Sequence, residues 1–118
     1  MVYTRDEWET IRGYEGALER AGWAGCRDDM DELRRMARRL HRIDERLCNG
    51  VQDWRGNWDE AGTTRLEKQA ERLEQRMGEI VARCLPGYHI ITQGDPRGWP
   101  AHIVADNDER NSIGVPIV

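Results

Sequence analysis

Phenylalanine is absent from this chain, and lysine occurs once, as Lys68. Long apolar runs are missing as well, which argues against a membrane span, since a spanning helix needs about 20 predominantly apolar residues in succession. Cysteine is scarce: Cys26, Cys48 and Cys84 form an odd, widely spaced set without a Cys-x-x-Cys pair, so no disulfide framework is expected. Cys48 and Cys84 with His41 lack the ligand spacing of a zinc site. Reduced, buried cysteines are expected, with no metal and no cofactor. No segment has the form of a signal peptide, and the expected location is the cytoplasm.

What is present fits one domain spanning residues 1–118, a length at which roughly two-thirds of the unfolded surface is buried. Hydrophobic residues make up 38% and charged residues 34%, which is polar but not depleted enough for a disordered chain. The net charge of −4 argues against indiscriminate DNA binding, which draws on an excess of cations, without excluding a local basic face. Nearly all the basic residues are arginine. A guanidinium suits bidentate contact with carboxylate or phosphate wherever several converge; a GC-rich genome accounts for the same bias.

Thr4 and Glu7 form a capping box, and Trp8, Ile11 and Leu18 follow at helical spacing, which predicts a helix over 5–20. Gly22 to Gly25 break the chain. Met30, Leu33, Met36, Ala37, Leu40, Ile43 and Leu47 predict an amphipathic helix over 28–48, capped by Asp28 or Asp29 and stopped by Asn49-Gly50. Acids fill its first turn and arginines its second half, as the helix dipole favours. After a connector over 50–62, Thr64 and Glu67 read as a second capping box opening a helix over 64–84. Leu66, Ala70, Leu73, Met77, Ile80, Val81 and Cys84 form its stripe, and Pro86-Gly87 ends it. The two long stripes predict an antiparallel helical pair. Strands are predicted over 88–93, 99–105 and 113–118, the last at an edge because Pro116 donates no ladder bond, with Asp106 to Ser112 as a loop. The fold class is α+β: about three helices followed by a small antiparallel sheet.

Two segments and one loop pair are candidates for function. In Gln93-Gly94-Asp95-Pro96-Arg97-Gly98, the positions of Asp95, Pro96 and Gly98 suit a type I turn on their own. Gln93 and Arg97 are not explained by a turn, and the stretch also reads as a ligand site: Gly94 and Gly98 admit close approach, while Gln93, Asp95 and Arg97 offer directed hydrogen bonds. Arg35, Arg39, Arg42 and Arg46, with Arg34 and Arg38 beside them, line one face of the second helix. This stripe can meet phosphate or an acidic partner, or pair with Glu67, Glu71 and Glu74 of the third helix as a solvated face. Trp54 and Trp58 in the connector, with Arg55 between them, can anchor a partner or stack on a base, or fold back over the core edge. His41 reads as a boundary residue. His89 and His102 are expected to face each other across a hairpin, and one of them with Asp95 offers the groups of a general acid–base pair, which nothing else in the chain supports; no nucleophile motif accompanies it.

The run Leu40-His41-Arg42 leading to Cys48-Asn49-Gly50, then Pro86-Gly87-Tyr88-His89 and the Gln93–Gly98 box, resembles a group of small uncharacterised proteins encoded by tailed phages and prophages. The likeness covers residues 33–105 and is most specific in the six-residue box. The connector after Gly50 is shorter than in those proteins, and Gly114 to Val118 matches their ending loosely. The resemblance implies a phage origin and action inside the bacterial host, and small phage accessory proteins often disarm host defences, an association rather than a mechanism.

The leading expectation is therefore a non-enzymatic phage accessory protein that counters host defence by binding, with a small phosphorylated or nucleotide signal as the ligand. Alternatives are an acidic nucleic-acid mimic that blocks a host defence protein, a nucleic-acid-binding protein using the helix-two arginines, and an enzyme acting on nucleotides or nucleic acid. Ile113, Val115 and Ile117 alternate on the last strand, and an apolar edge invites pairing, so a homodimer is a further expectation.

Overall fold

The structure is a computed structural model that describes residues 2–92 and 99–118. Three helices, α1 (Arg5–Ala21), α2 (Arg27–Asn49) and α3 (Glu60–Cys84), precede three strands, β1 (Tyr88–Ile91), β2 (Ala101–Ala105) and β3 (Asp108–Val115). The strands form one antiparallel sheet in the order β1-β2-β3. The α+β architecture follows the predicted pattern of helices first and sheet last.

Helix starts are set by local chemistry. At α1 the amide of Glu7 donates to Thr4 Oγ1 (3.2 Å) and the amide of Thr4 to Glu7 Oε2 (2.8 Å), the reciprocal box expected. Helix α2 begins one residue before the predicted cap: Cys26 occupies the cap position, and its amide donates to Asp29 Oδ2 (3.4 Å). Helix α3 begins four residues earlier than Thr64-Glu67 suggests. Asp59 is its cap and accepts from the amide of Gly62 (2.9 Å), and the apolar side of the added turn packs against Val51 through Gly62, where a Cβ would meet Val51 Cγ1 at 3.1 Å.

One apolar cluster draws on every element. Leu33, Met36, Ala37, Leu40 and Ile43 of α2 meet Leu66, Ala70, Leu73, Met77 and Val81 of α3, and the sheet adds Ile103, Ile113 and Val115. Paired strand residues share a face, so the register places Ile90, Ile103 and Ile113 on the helix side and His89, Val104 and Ser112 on the other. α3 lies against β1, while α1 and α2 lie against β3.

The C-terminal strand departs from expectation. The chain turns at Asp106–Asn107, and β3 starts at Asp108, so the tract read as a loop is a strand. Its first five residues are exposed and the register jumps between Val104 and Ala105; with neither face buried, no apolar alternation marks them as a strand. Pro116 to Val118 lie beyond the strand. Ile113 and Val115, on which edge pairing was expected to rest, are buried within this chain. Of the cysteines only Cys84 is buried; Cys26 and Cys48 are exposed, and all three are free thiols. No helix among the described residues is long and apolar enough to cross a membrane.

Candidate functional site

The box Gln93, Gly94, Asp95, Pro96, Arg97 and Gly98 lies outside the described residues. The candidate site that the described residues build is the groove between α2 and α3.

Its α2 side is the predicted arginine face, and it is not uniform. The Arg35 guanidinium donates to Glu32 Oε2 through Nε (3.1 Å) and a terminal nitrogen (2.7 Å), and this bond raises the Arg35 pKa above its ordinary value. Arg35 is thus held in a surface ion pair with Glu32. Arg34 is buried instead of flanking the stripe: it pairs with Asp31 (2.9 Å) and donates to the carbonyl oxygen of Val118 (2.6 Å). It is a structural tie from α2 to the chain after β3. Arg39, Arg42 and Arg46 are exposed, and among the described residues none of them has a carboxylate within ion-pair distance.

The α3 side overturns the pairing with Glu67, Glu71 and Glu74. Once Leu66, Ala70, Leu73 and Met77 face inward, residues three and four apart share a flank, and the flank beside α2 carries Gln69, Arg72 and Arg76. Arg39, Ile43, Gln69, Arg72, Leu73 and Arg76 line a shallow depression of about 330 Å³. The glutamates occupy the opposite flank, the one shared with Gly78, where a Cβ would reach Ile90 of β1 at 4.0 Å. Arg72 and Arg76 also lack ion-pair partners among the described residues. The groove is therefore basic over an apolar floor of Ile43 and Leu73. Toward the start of α2 it turns mixed, with Glu32, Met36, Arg76, Glu79, Ile80 and Arg83 around a second depression.

Arg72 and Arg76 escaped the sequence reading. Their i,i+4 spacing beside Leu73 and Met77 is visible in the chain, but which flank of α3 meets α2 depends on the hand of the helical pair.

The connector after α2 is a built turn. The amide of Asp53 donates to Asn57 O (2.8 Å), that of Asp59 to Val51 O (2.8 Å) and that of Gly56 to Asp53 O (3.0 Å), and Gln52 bridges to Trp58. Asp53 Oδ1 accepts from the amides of Arg55 (2.8 Å) and Asn57 (3.0 Å). On this frame Trp54 is 86% exposed and Trp58 68%, so the rings do not fold back over the core. Arg55 lies over the Trp54 ring, 4.6 Å from its centroid.

The histidines do not form the expected pair. His89 is registered with Val104 and His102 with Ile91, and His89 Nδ1 sits 2.6 Å from Asp106 Oδ1 in an exposed contact. His41 pairs with Glu45 at 3.0 Å on the α2 surface. Among the described residues no group of His, Cys, Asp and Glu is arranged to hold a metal. Comparison of the chain with protein-family models, with curated proteins and with solved structures returned no match.

Proposed function

We propose that this protein is a non-enzymatic binding protein for a phosphate-bearing ligand, held on the α2–α3 face by Arg39, Arg42, Arg46, Arg72 and Arg76. The observation that carries the reading is the convergence of Arg39 of α2 with Arg72 and Arg76 of α3 on one depression, none of them with an ion-pair partner among the described residues, while the neighbouring Arg35 and Arg83 are tied to Glu32 and Asp29. Arg42 and Arg46 continue the exposed stripe along α2. Like charges four apart on a helix, as Arg42 and Arg46 or Arg72 and Arg76 are, cost roughly 0.2–0.5 kcal/mol per pair. An arriving polyanion reverses that cost, and guanidinium groups match phosphate oxygens bidentately.

The resemblance to tailed-phage proteins supplies the biological setting of this reading: capture of a phosphorylated or nucleotide signal on which host defence depends. Gln93 and Arg97 enter it as a further contact, on the chemistry of the sequence alone. The test is titration calorimetry with inorganic tripolyphosphate at low salt. Binding is expected for the unaltered chain, and a loss of at least tenfold in affinity for the Arg39→Ala/Arg76→Ala variant. An Arg12→Ala/Arg20→Ala variant, altered in α1, is expected to bind normally. Equal affinity in all three proteins would refute the assignment.

A further inference from the structure

We infer that the phosphate-bearing ligand is a single-stranded nucleic acid, with phosphates along the arginines of α2 and α3 and unstacked bases on Trp54 and Trp58. The inference rests on the phosphate reading above and specifies its ligand.

Three observations lead to it. First, Trp54 and Trp58 stay exposed on a turn braced by its own backbone bonds and by the Asp53 carboxylate. An indole carries roughly 150–250 Å² of surface that is usually buried, and a braced turn that holds two of them in solvent suits a planar partner. Arg55 over one face of Trp54 adds a cation beside the ring, a combination that single-strand binders use. Second, the arginines run toward this turn. Arg46 is in the last turn of α2, and the connector that bears both rings joins Asn49 to Glu60, at the end of the helical pair toward which the basic stripe runs. Third, Arg39 to Arg46 spans roughly 10 Å at 1.5 Å per residue, more than one phosphate group covers. An extended phosphodiester chain matches both the length and the change from cations to rings. A duplex offers phosphates but keeps its bases stacked.

The net charge of −4 is no obstacle, because no acid lines the depression of Arg39, Arg72 and Arg76, and Glu32 and Glu79 lie at the groove's far end, toward the start of α2. Glu67 and Glu71 occupy the other flank of α3, Glu45 pairs with His41, and Asp53 and Asp59 are committed to backbone amides of the connector and of α3.

The experiment uses fluorescence anisotropy with a labelled fifteen-nucleotide oligothymidylate, an abasic oligomer of the same length and a duplex of the same length. The unaltered chain is expected to bind oligothymidylate more tightly than the abasic oligomer by about 5- to 150-fold per stacked base, and more tightly than the duplex. Replacing both rings (Trp54→Ala/Trp58→Ala) should lower oligothymidylate affinity to the abasic level. It should leave the abasic affinity and its salt dependence unchanged, a logarithmic slope of about −3 for four or five neutralised phosphates. Equal binding of oligothymidylate and abasic oligomer, or preference for the duplex, would overturn the inference and leave the phosphate reading standing. Binding of tripolyphosphate with no binding of either single strand would overturn it too. Failure to bind any of these, tripolyphosphate included, would remove both.

Discussion

The ring of Trp99 occupies the space that a side chain on Gly114 would need. The indole thus covers β3 on the face that carries His102 and Ile91, and only glycine leaves room for it. Gly114→Ala is expected to destabilise the protein by about 1–3 kcal/mol through overpacking. In a Trp99→Ala background the same change should cost much less, so the two substitutions will be non-additive in a denaturant double-mutant cycle.

The α2–α3 seam is the stability core. Leu40 and Leu73 are buried against each other's helices, and Leu40→Ala and Leu73→Ala should each cost on the order of 2–5 kcal/mol. A cost of a few tenths at either position, measured by urea titration, would mean that the inward face of that helix is misassigned.

The corrected start of α3 has its own signature. Asp59→Ala removes the oxygen that caps Gly62 and should cost about 1 kcal/mol. Thr64, now inside the helix and exposed, should tolerate alanine within about 0.5 kcal/mol. The reverse order in thermal melts would restore Thr64 as the cap.

A pH effect follows from Asp29. Its carboxylate accepts from the Cys26 thiol (3.3 Å) and amide, from Arg83 (3.0 Å) and from the Cys84 thiol (3.6 Å). Hydrogen bonding from Cys26, ahead of the Arg83 charge, lowers its pKa below the ordinary carboxylate value. Burial raises the Cys84 pKa, which keeps that thiol a donor. Because the folded value is the lower one, the stabilisation is present above the unfolded carboxylate value of about 3.9 and fades as pH falls through the folded value. The stability gap between the unaltered chain and Asp29→Asn should therefore narrow between about pH 5 and pH 3. A gap that is flat or widens on acidification would contradict the role given to Asp29.

Much of the fold is legible in the chain because its signals are local. The Thr4–Glu7 box, the stripe from Met30 to Ile43 and the stop at Gly50 each need only neighbouring residues, and each element lies where they place it. The misreadings share another cause. Asp59 caps α3 from within a polar connector, and the start of β3 is extended but exposed, so neither carries a hydrophobic period. The candidate site was half legible. Arg39, Arg42 and Arg46 are a visible stripe on α2, but whether α3 answers it with Glu67, Glu71 and Glu74 or with Arg72 and Arg76 is decided by which flank turns toward α2. That is a tertiary fact.

The central claim, that the α2–α3 arginines hold phosphate, is tested most directly by nuclear magnetic resonance of the arginine Nε–Hε groups during titration with tripolyphosphate. The resonances of Arg39, Arg42, Arg46, Arg72 and Arg76 are expected to move together and saturate at one ligand concentration. Those of Arg5, paired with Glu9, and of Arg34, buried beside Asp31, are expected to stay in place. Saturable shifts confined to arginines outside the groove, or no shifts at millimolar tripolyphosphate, would contradict the claim.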